Sequence, residues 1–321
     1  MRSPRADVHA PAWQVWLALG IVYIVWGSTY LAIRVVVTNG MPPLMAAGLR
    51  FLIAAVILVA FAAVRSGPGA LRLSRAEWLG SAFIGLALLL GGNGLVMLGE
   101  RDVPSALAAL IIAVVPLYVV VLRFLFGEKV SLVTALGVIV GVAGVALLIV
   151  PRGIDGSVAL PGMLMLLGAS ASWSVGSYLS KRVSLPSDPL VSTGAQMLVG
   201  GGAMLAVGAA LGEVGLIHPE QFSQDALVSF VYLVLFGSIL GYTAYTWLLQ
   251  HTTVSKVATY AFVNPVVAVA LGALFLNEAI GVTTILAGAA IVLAVVLIVT
   301  ARTPAHKAAA EPLPEPLKAA A

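Results

Sequence analysis

The sequence contains no cysteine, which excludes disulfide frameworks, thiolate metal sites and cysteine nucleophiles and leaves the redox compartment unreadable. Its four histidines are scattered without metal-ligand spacing, so neither a metal nor a cofactor is expected. Charge is scarce as well: Asp, Glu, Lys and Arg make up 9% of the 321 residues. No G-x-x-x-x-G-K-[ST] phosphate loop is present, which argues against direct use of ATP. The acidic residues lie at segment ends and loops, without paired carboxylates or an activated nucleophile, so a membrane-embedded enzyme is the weakest function class. The net charge of +4, from 17 basic and 13 acidic side chains, does not imply nucleic acid.

What is abundant is apolar surface. The chain is 61% hydrophobic with a mean hydropathy of +1.08, values that place it in a lipid bilayer. A spanning helix needs about 20 mostly apolar residues. Cutting at Pro, Gly and charge clusters leaves ten candidate segments near 13–38, 44–65, 77–98, 104–126, 132–150, 161–181, 189–212, 225–249, 255–276 and 281–301. The expected fold is an all-α membrane protein, with connections too short to hold a soluble domain. Residues 1–12 form a short basic N-terminal segment, and the apolar run after it is too long for a signal-peptide core. Residues 302–321 are polar, Pro/Ala-rich and aperiodic, and are expected to be disordered.

Basic residues set the expected orientation. With the N-terminus in the cytoplasm, 13 of the 17 Lys and Arg fall on that side, including Arg65, Arg123, Lys129, Lys181 and Arg182. The opposite side receives Arg34, Arg101, Arg152 and the acidic loop with Glu213, Glu220 and Asp225. Both termini are expected to be cytoplasmic.

The sequence repeats itself. S28-T-Y-L-A-I-R-V35 returns as G176-S-Y-L-S-K-R-V183 at an offset of 148, and the Pro43 and Pro189 segment openings lie 146 apart. Pro116 followed by Glu128 corresponds to Pro265 followed by Glu278, at offsets of 149 and 150. Two halves of five segments, 13–150 and 151–301, imply a 5+5 inverted repeat, because an odd number of crossings makes the second half enter from the other side. Such pairs exchange conformations and support alternating access.

Polar residues cluster at one depth. Tyr23, Trp26, Tyr30 and Arg34 form one stripe of the first segment, Ser170, Trp173 and Ser177 one stripe of the sixth, and Tyr260 and Asn264 lie four apart in the ninth. Mid-membrane polar groups are tolerated when they face protein or a wet cavity. Candidate cavity residues are therefore Trp26, Tyr30, Arg50, Asn93, Trp173, Ser177, Tyr245, Tyr260 and Asn264, with Tyr245 the weakest because it lies off centre. The competing reading for the hydroxyls of Ser28, Thr29, Ser170 and Ser177 is back-bonding within their own helix. Arg34 can snorkel to the interface. Arg50 is expected to pair with Glu278, to bind a substrate carboxylate, or to do both at different stages. Pro116 and Pro265 are expected hinges, and the runs G137-V-I-V-G-V-A-G144 and G200-G-G202 are read as close helix packing.

The stretch W26-G-S-T-Y-L-A-I-R34, the segment opening Pro42-Pro43-Leu44-Met45-Ala46-Ala47-Gly48-Leu49-Arg50-Phe51, G92-N-G94, Val114-Val115-Pro116 and N264-P-V-V-A-V-A-L-G-A-L-F-L-N-E278 resemble the EamA family of the drug/metabolite transporter superfamily, over residues 13–301. The resemblance implies a ten-helix inverted repeat in the bacterial inner membrane and export of amino acids or small metabolites. The partners it implies are a small-molecule substrate and the lipid bilayer, with proton or substrate-gradient coupling and oligomeric state left open. A lipid-handling or structural membrane protein is the alternative if the polar stripes face one another in a dry core.

Overall fold

The structure is a computed structural model describing residues 10–103, 105–149, 160–276 and 281–301. All regular secondary structure among the described residues is helical. The helices are α1 (Ala12–Thr38), α2 (Pro43–Ser66), α3 (Arg75–Gly99), α4 (Ser105–Ile112), α5 (Val115–Leu125) and α6 (Leu132–Ile149). They continue with α7 (Leu160–Leu179), α8 (Pro189–Ala210), α9 (Gln224–His251), α10 (Val254–Ala258), α11 (Tyr260–Leu276) and α12 (Val282–Thr300). α1, α2, α3, α8 and α9 are each long and apolar enough to cross a membrane. An apolar run in lipid must satisfy its own backbone, which only the helix does within one segment.

Local signals mark several starts. Ser74 and Glu77 form a reciprocal capping box at α3. Asp188 accepts from the Leu190 amide ahead of α8, and Pro43 and Pro189 occupy first-turn positions whose N–H would otherwise lack a partner. Glu213, in the acidic loop noted in the sequence, is buried. Its Oε2 accepts from the Met45 amide at 2.9 Å, at the positive end of the α2 dipole.

Large apolar side chains face outward as well as filling the core, and polar side chains are held inside. Ile24, Leu31, Phe61, Phe124 and Leu286 are exposed on outer helix faces, while Arg50, Ser170, Gln196 and Asn264 are buried. Facing hydrocarbon, that distribution is the stable one. α2 lies along α8 and α6 along α12, while α1 packs on α9 and α11, and α7 on α3, α4 and α5. The α2–α8 crossing brings backbones together: a Cβ at Gly48 would stand 2.8 Å from the Gly201 carbonyl, and one at Gly201 3.0 Å from the Gly48 carbonyl. Within the G200-G-G202 run, Gly200 and Gly201 make such contacts, whereas Gly202 faces open space.

Two features depart from the sequence expectation. The segment near 104–126 is broken at Ala113–Val114, and Pro116 sits in the first turn of α5, where it removes no interior hydrogen bond. The expectation that Pro116 removes an internal helix hydrogen bond is corrected accordingly, whereas Pro265 does lie inside a helix, α11. In addition, α3 and α9 are π-helical over Leu86–Gly94 and Leu233–Tyr242, whose starts lie 147 residues apart. A π-helical stretch displaces the hydrogen-bonding register and commonly marks a functional site.

Candidate functional site

Trp26 on α1, Trp173 on α7, Tyr242 and Tyr245 on α9 and Tyr260 on α11 form one aromatic layer at the centre of the bundle. The Trp26 ring centroid lies 5.4 Å from Trp173, 4.9 Å from Tyr245 and 5.1 Å from Tyr260. Trp173 lies 5.2 Å from Tyr245 and 6.3 Å from Tyr242. Several of these contacts are edge-on, the arrangement that the ring quadrupole favours. Trp26 Nε1 donates out of the layer to the Gly237 carbonyl at 3.1 Å, and Trp173 Nε1 donates within it to the Tyr245 hydroxyl at 2.7 Å. Gly237 belongs to the π-helical stretch of α9.

A cavity of ≈ 70 Å³ adjoins this layer. Trp26, Tyr30, Arg50, Asn93, Trp173, Tyr260 and Asn264 line it, so seven of the nine candidates meet around one space. Gly92 and Asn93 come from the π-helical stretch of α3, and Gly237 and Tyr242 from that of α9. Ser177 and Tyr245 do not line it. They sit behind Trp173, with their hydroxyls 2.5 Å apart. Tyr245, the weakest candidate on sequence, is fully buried and holds Trp173 in place.

Sequence reasoning missed Tyr242 and Phe51. The Tyr242 hydroxyl donates to Gln196 Oε1 at 2.9 Å, and its ring lies 6.4 Å from Phe51. Its position three residues before Tyr245, on the same helix face, was the signal available. The hydroxyls of Ser28, Thr29, Ser170 and Ser177 all donate back to carbonyls of their own helices, at 2.7, 2.8, 2.9 and 2.6 Å. Tyr23 meets the Thr259 hydroxyl at 2.6 Å, outside the cavity lining. Arg34 does not snorkel freely: its Nη1 donates to the carbonyls of Glu100 and Arg101, at the negative end of α3.

Two lining side chains are buried with polar atoms unmatched. Arg50 is 4% exposed; one Nη2–H donates to Asn93 Oδ1 at 3.0 Å, and the guanidinium carbon stands 4.3 Å from the Phe51 ring centroid. Its Nε–H has no hydrogen-bond partner among the described residues. Glu278, the carboxylate expected beside it, lies outside the described residues. Asn264 is 1% exposed; the Tyr30 hydroxyl is close by, but neither amide atom of Asn264 attains hydrogen-bond geometry.

A second polar assembly lies at the end of the bundle beyond Ser177. Glu128 bonds Arg123 at 2.9 Å and Arg182 at 2.8 Å, and the Tyr178 hydroxyl donates to it at 2.8 Å. Arg123 also reaches the Ser255 hydroxyl at 3.0 Å, and Lys181 the Thr252 carbonyl at 2.6 Å. Desolvation pushes the Glu128 carboxyl up, but hydrogen bonds from Arg182, Arg123 and Tyr178 outweigh it and hold the group below the usual carboxylate range.

A multi-pass apolar helical bundle that encloses an aromatic cavity with buried, unmatched polar groups has the architecture of a membrane transporter. The EamA-like transporter family matches residues 13–150 and again 160–300, and the chain belongs to that family. It is 38% identical over 286 residues to the "Uncharacterized inner membrane transporter YedA" of Escherichia coli strain K12, covering 88% of this chain and 89% of the relative. It is also 30% identical over 268 residues to the "Probable amino-acid metabolite efflux pump" of that strain, covering 80% and 85% respectively. The "Uncharacterized transporter YvbV" of Bacillus subtilis strain 168 matches at 28% identity, over 92% of this chain and 94% of its own. A solved crystal structure aligns with a TM-score of 0.70 at 21% identity, over 88% of this chain and 95% of that one, a likeness of fold. The chain is thus a multi-pass membrane transporter of a type found in inner membranes.

Proposed function

We propose that this protein is a secondary exporter that carries amino acids or similar small amphipathic metabolites or drugs out of the cytoplasm by alternating access. The observation that carries the reading is the central cavity, where Arg50 and Asn264 keep buried polar atoms without partners. Stability alone gives no reason for such atoms, because each costs about 1–3 kcal/mol when left unmatched. A dry structural core, the reading of a lipid-handling or architectural protein, would have matched them or replaced them with apolar groups.

The proposed topology has ten spanning helices in two inverted halves with both termini in the cytoplasm, the first half ending near residue 150. The matched packing of α2 on α8 and α6 on α12, and the π-helical stretches repeated 147 residues apart, support it. In this topology the cavity lies on the outer side of the aromatic layer. Tyr245, Ser177 and the Glu128 assembly lie on the cytoplasmic side and part when the cavity opens inward. The flexing points are the break at Ala113–Val114, Pro265 and the two π-helical stretches. A cavity of ≈ 70 Å³ holds a few waters, so this conformation is contracted around the site. Transport is driven by the substrate gradient or by exchange with protons.

The test is efflux from preloaded proteoliposomes against a panel of amino acids and amphipathic metabolites. Protein-dependent efflux of at least one class is expected, with most of it lost in Trp173→Ala at unchanged protein level. Rates equal to protein-free vesicles across the panel, or full activity in Trp173→Ala, would remove the reading.

A further inference from the structure

Among the described residues lining the cavity, Arg50 is the one with a formal charge. Placing a guanidinium at this depth is costly unless an anion or several hydrogen bonds compensate it. The contacts present are those of a neutral environment: one bond to the Asn93 carbonyl oxygen at 3.0 Å and the face of Phe51 at 4.3 Å. Among the described residues the Arg50 Nε–H is buried and unmatched, on a side chain that lines the cavity. Asn264, on the α11 side of the same cavity, leaves both a donor and an acceptor unmatched. The rings of Trp26, Trp173, Tyr242 and Tyr260 line the same cavity.

Building on the transport reading, we propose that the cavity selects substrates by their carboxylate. The carboxylate binds the Nε–H edge of Arg50, the apolar body of the ligand lies against the aromatic layer, and a second polar group pairs with Asn264. Asn93 acts as a positioning residue, because its bond to Nη2 fixes the orientation of the guanidinium. A single cation among the described lining residues matches a monoanion, which favours a carboxylate over a doubly charged phosphate. The proposal also makes a lone amine the wrong ligand, since a second cation would meet Arg50 in a low-dielectric space.

The experiment uses the purified full-length chain in lipid nanodiscs and follows tryptophan emission, since Trp26 and Trp173 line the site. The probes share one branched aliphatic body: L-leucine, isocaproate, L-leucinamide, isoamylamine and isoamyl phosphate. In the wild type, leucine and isocaproate should bind about tenfold or more tightly than leucinamide and isoamylamine, the ratio expected for a hydrogen bond to a charged group. Isoamyl phosphate should bind no more tightly than isocaproate. Arg50→Gln should abolish the acid preference, whereas Arg50→Lys should retain part of it.

The wild-type comparison needs no variant, so misfolding of Arg50→Gln does not block the test. Equal binding of acid and amide, preferential binding of the amine or the phosphate, or no response to any probe overturns the proposal. Proteoliposome efflux of the same compounds separates the two readings. Amine efflux without acid efflux sinks the carboxylate site and leaves transport intact. Acid binding without efflux of any compound leaves the site and sinks transport.

Discussion

Gly92→Ala offers a direct check on the packing that shapes the cavity. A Cβ at this position would stand 2.5 Å from Trp173 Cε3 and 3.3 Å from Cζ3, so the indole must recede by about 1 Å to regain ordinary contact at 3.4 Å. The ring has little room to do so, with Trp26 and Tyr245 centroids 5.4 and 5.2 Å away and its N–H tied to the Tyr245 hydroxyl at 2.7 Å. Overpacking of this kind costs about 1–3 kcal/mol, and loss of the indole hydrogen bond adds about 1 kcal/mol. The better helix propensity of alanine returns at most about 1 kcal/mol. The net destabilisation is therefore about 1–3 kcal/mol. Thermal unfolding of the purified protein, read by tryptophan emission, should show a lower midpoint and a shifted native spectrum. Gly20→Ala is the control, because nothing stands within 4 Å of its added methyl. A Gly92→Ala protein that melts with the control and keeps the wild-type spectrum would refute the reasoning.

In the other half, Gly241→Ala sets a methyl 2.5 Å from Trp26 Nε1 and should break its bond to the Gly237 carbonyl, with a comparable fall in melting temperature. An unaltered midpoint would contradict the assigned contact. Tyr245→Phe should leave the Trp173 N–H unmatched and cost about 1–3 kcal/mol, measured by unfolding against a Tyr118→Phe control. The Glu128 carboxyl is held below its ordinary range, so its stabilisation is complete above that range and is lost as pH falls through the lowered value. Acidification should loosen the Arg123–Glu128–Arg182 assembly, measured as labelling of a cysteine introduced at Ser255, and Glu128→Gln should remove that pH dependence. Pro265→Ala should shift cavity accessibility to thiol reagents more than Pro116→Ala, because only Pro265 interrupts a helix interior; equal shifts would count against that assignment.

Hydropathy made the long apolar helices legible, α1, α2, α3, α8 and α9 above all, because a chain in lipid has few ways to satisfy its backbone and long apolar runs announce the choice. The recurrence of Tyr-Leu and Arg-Val at one offset, of segment-opening prolines and of Pro–Glu spacing made the two halves legible, since each half repeats local chemistry in order. Depth along each helix was enough to bring Trp26, Trp173, Tyr260 and Asn264 to one level, as the rise per residue is constant. Direction around the helix axis was harder to read. Ser177 has the right depth yet lies behind Trp173 with Tyr245, and Tyr242, three residues from Tyr245, reaches the cavity where Tyr245 does not. That placement depends on the π-helical stretches of α3 and α9, which shift the register by hydrogen bonding and leave no trace in hydropathy. Partner choice was equally hidden: Glu213 caps α2, Arg34 caps α3, and Arg50 meets Asn93. Only tertiary packing decides which of several polar groups, all costly to leave alone in lipid, come within reach of one another.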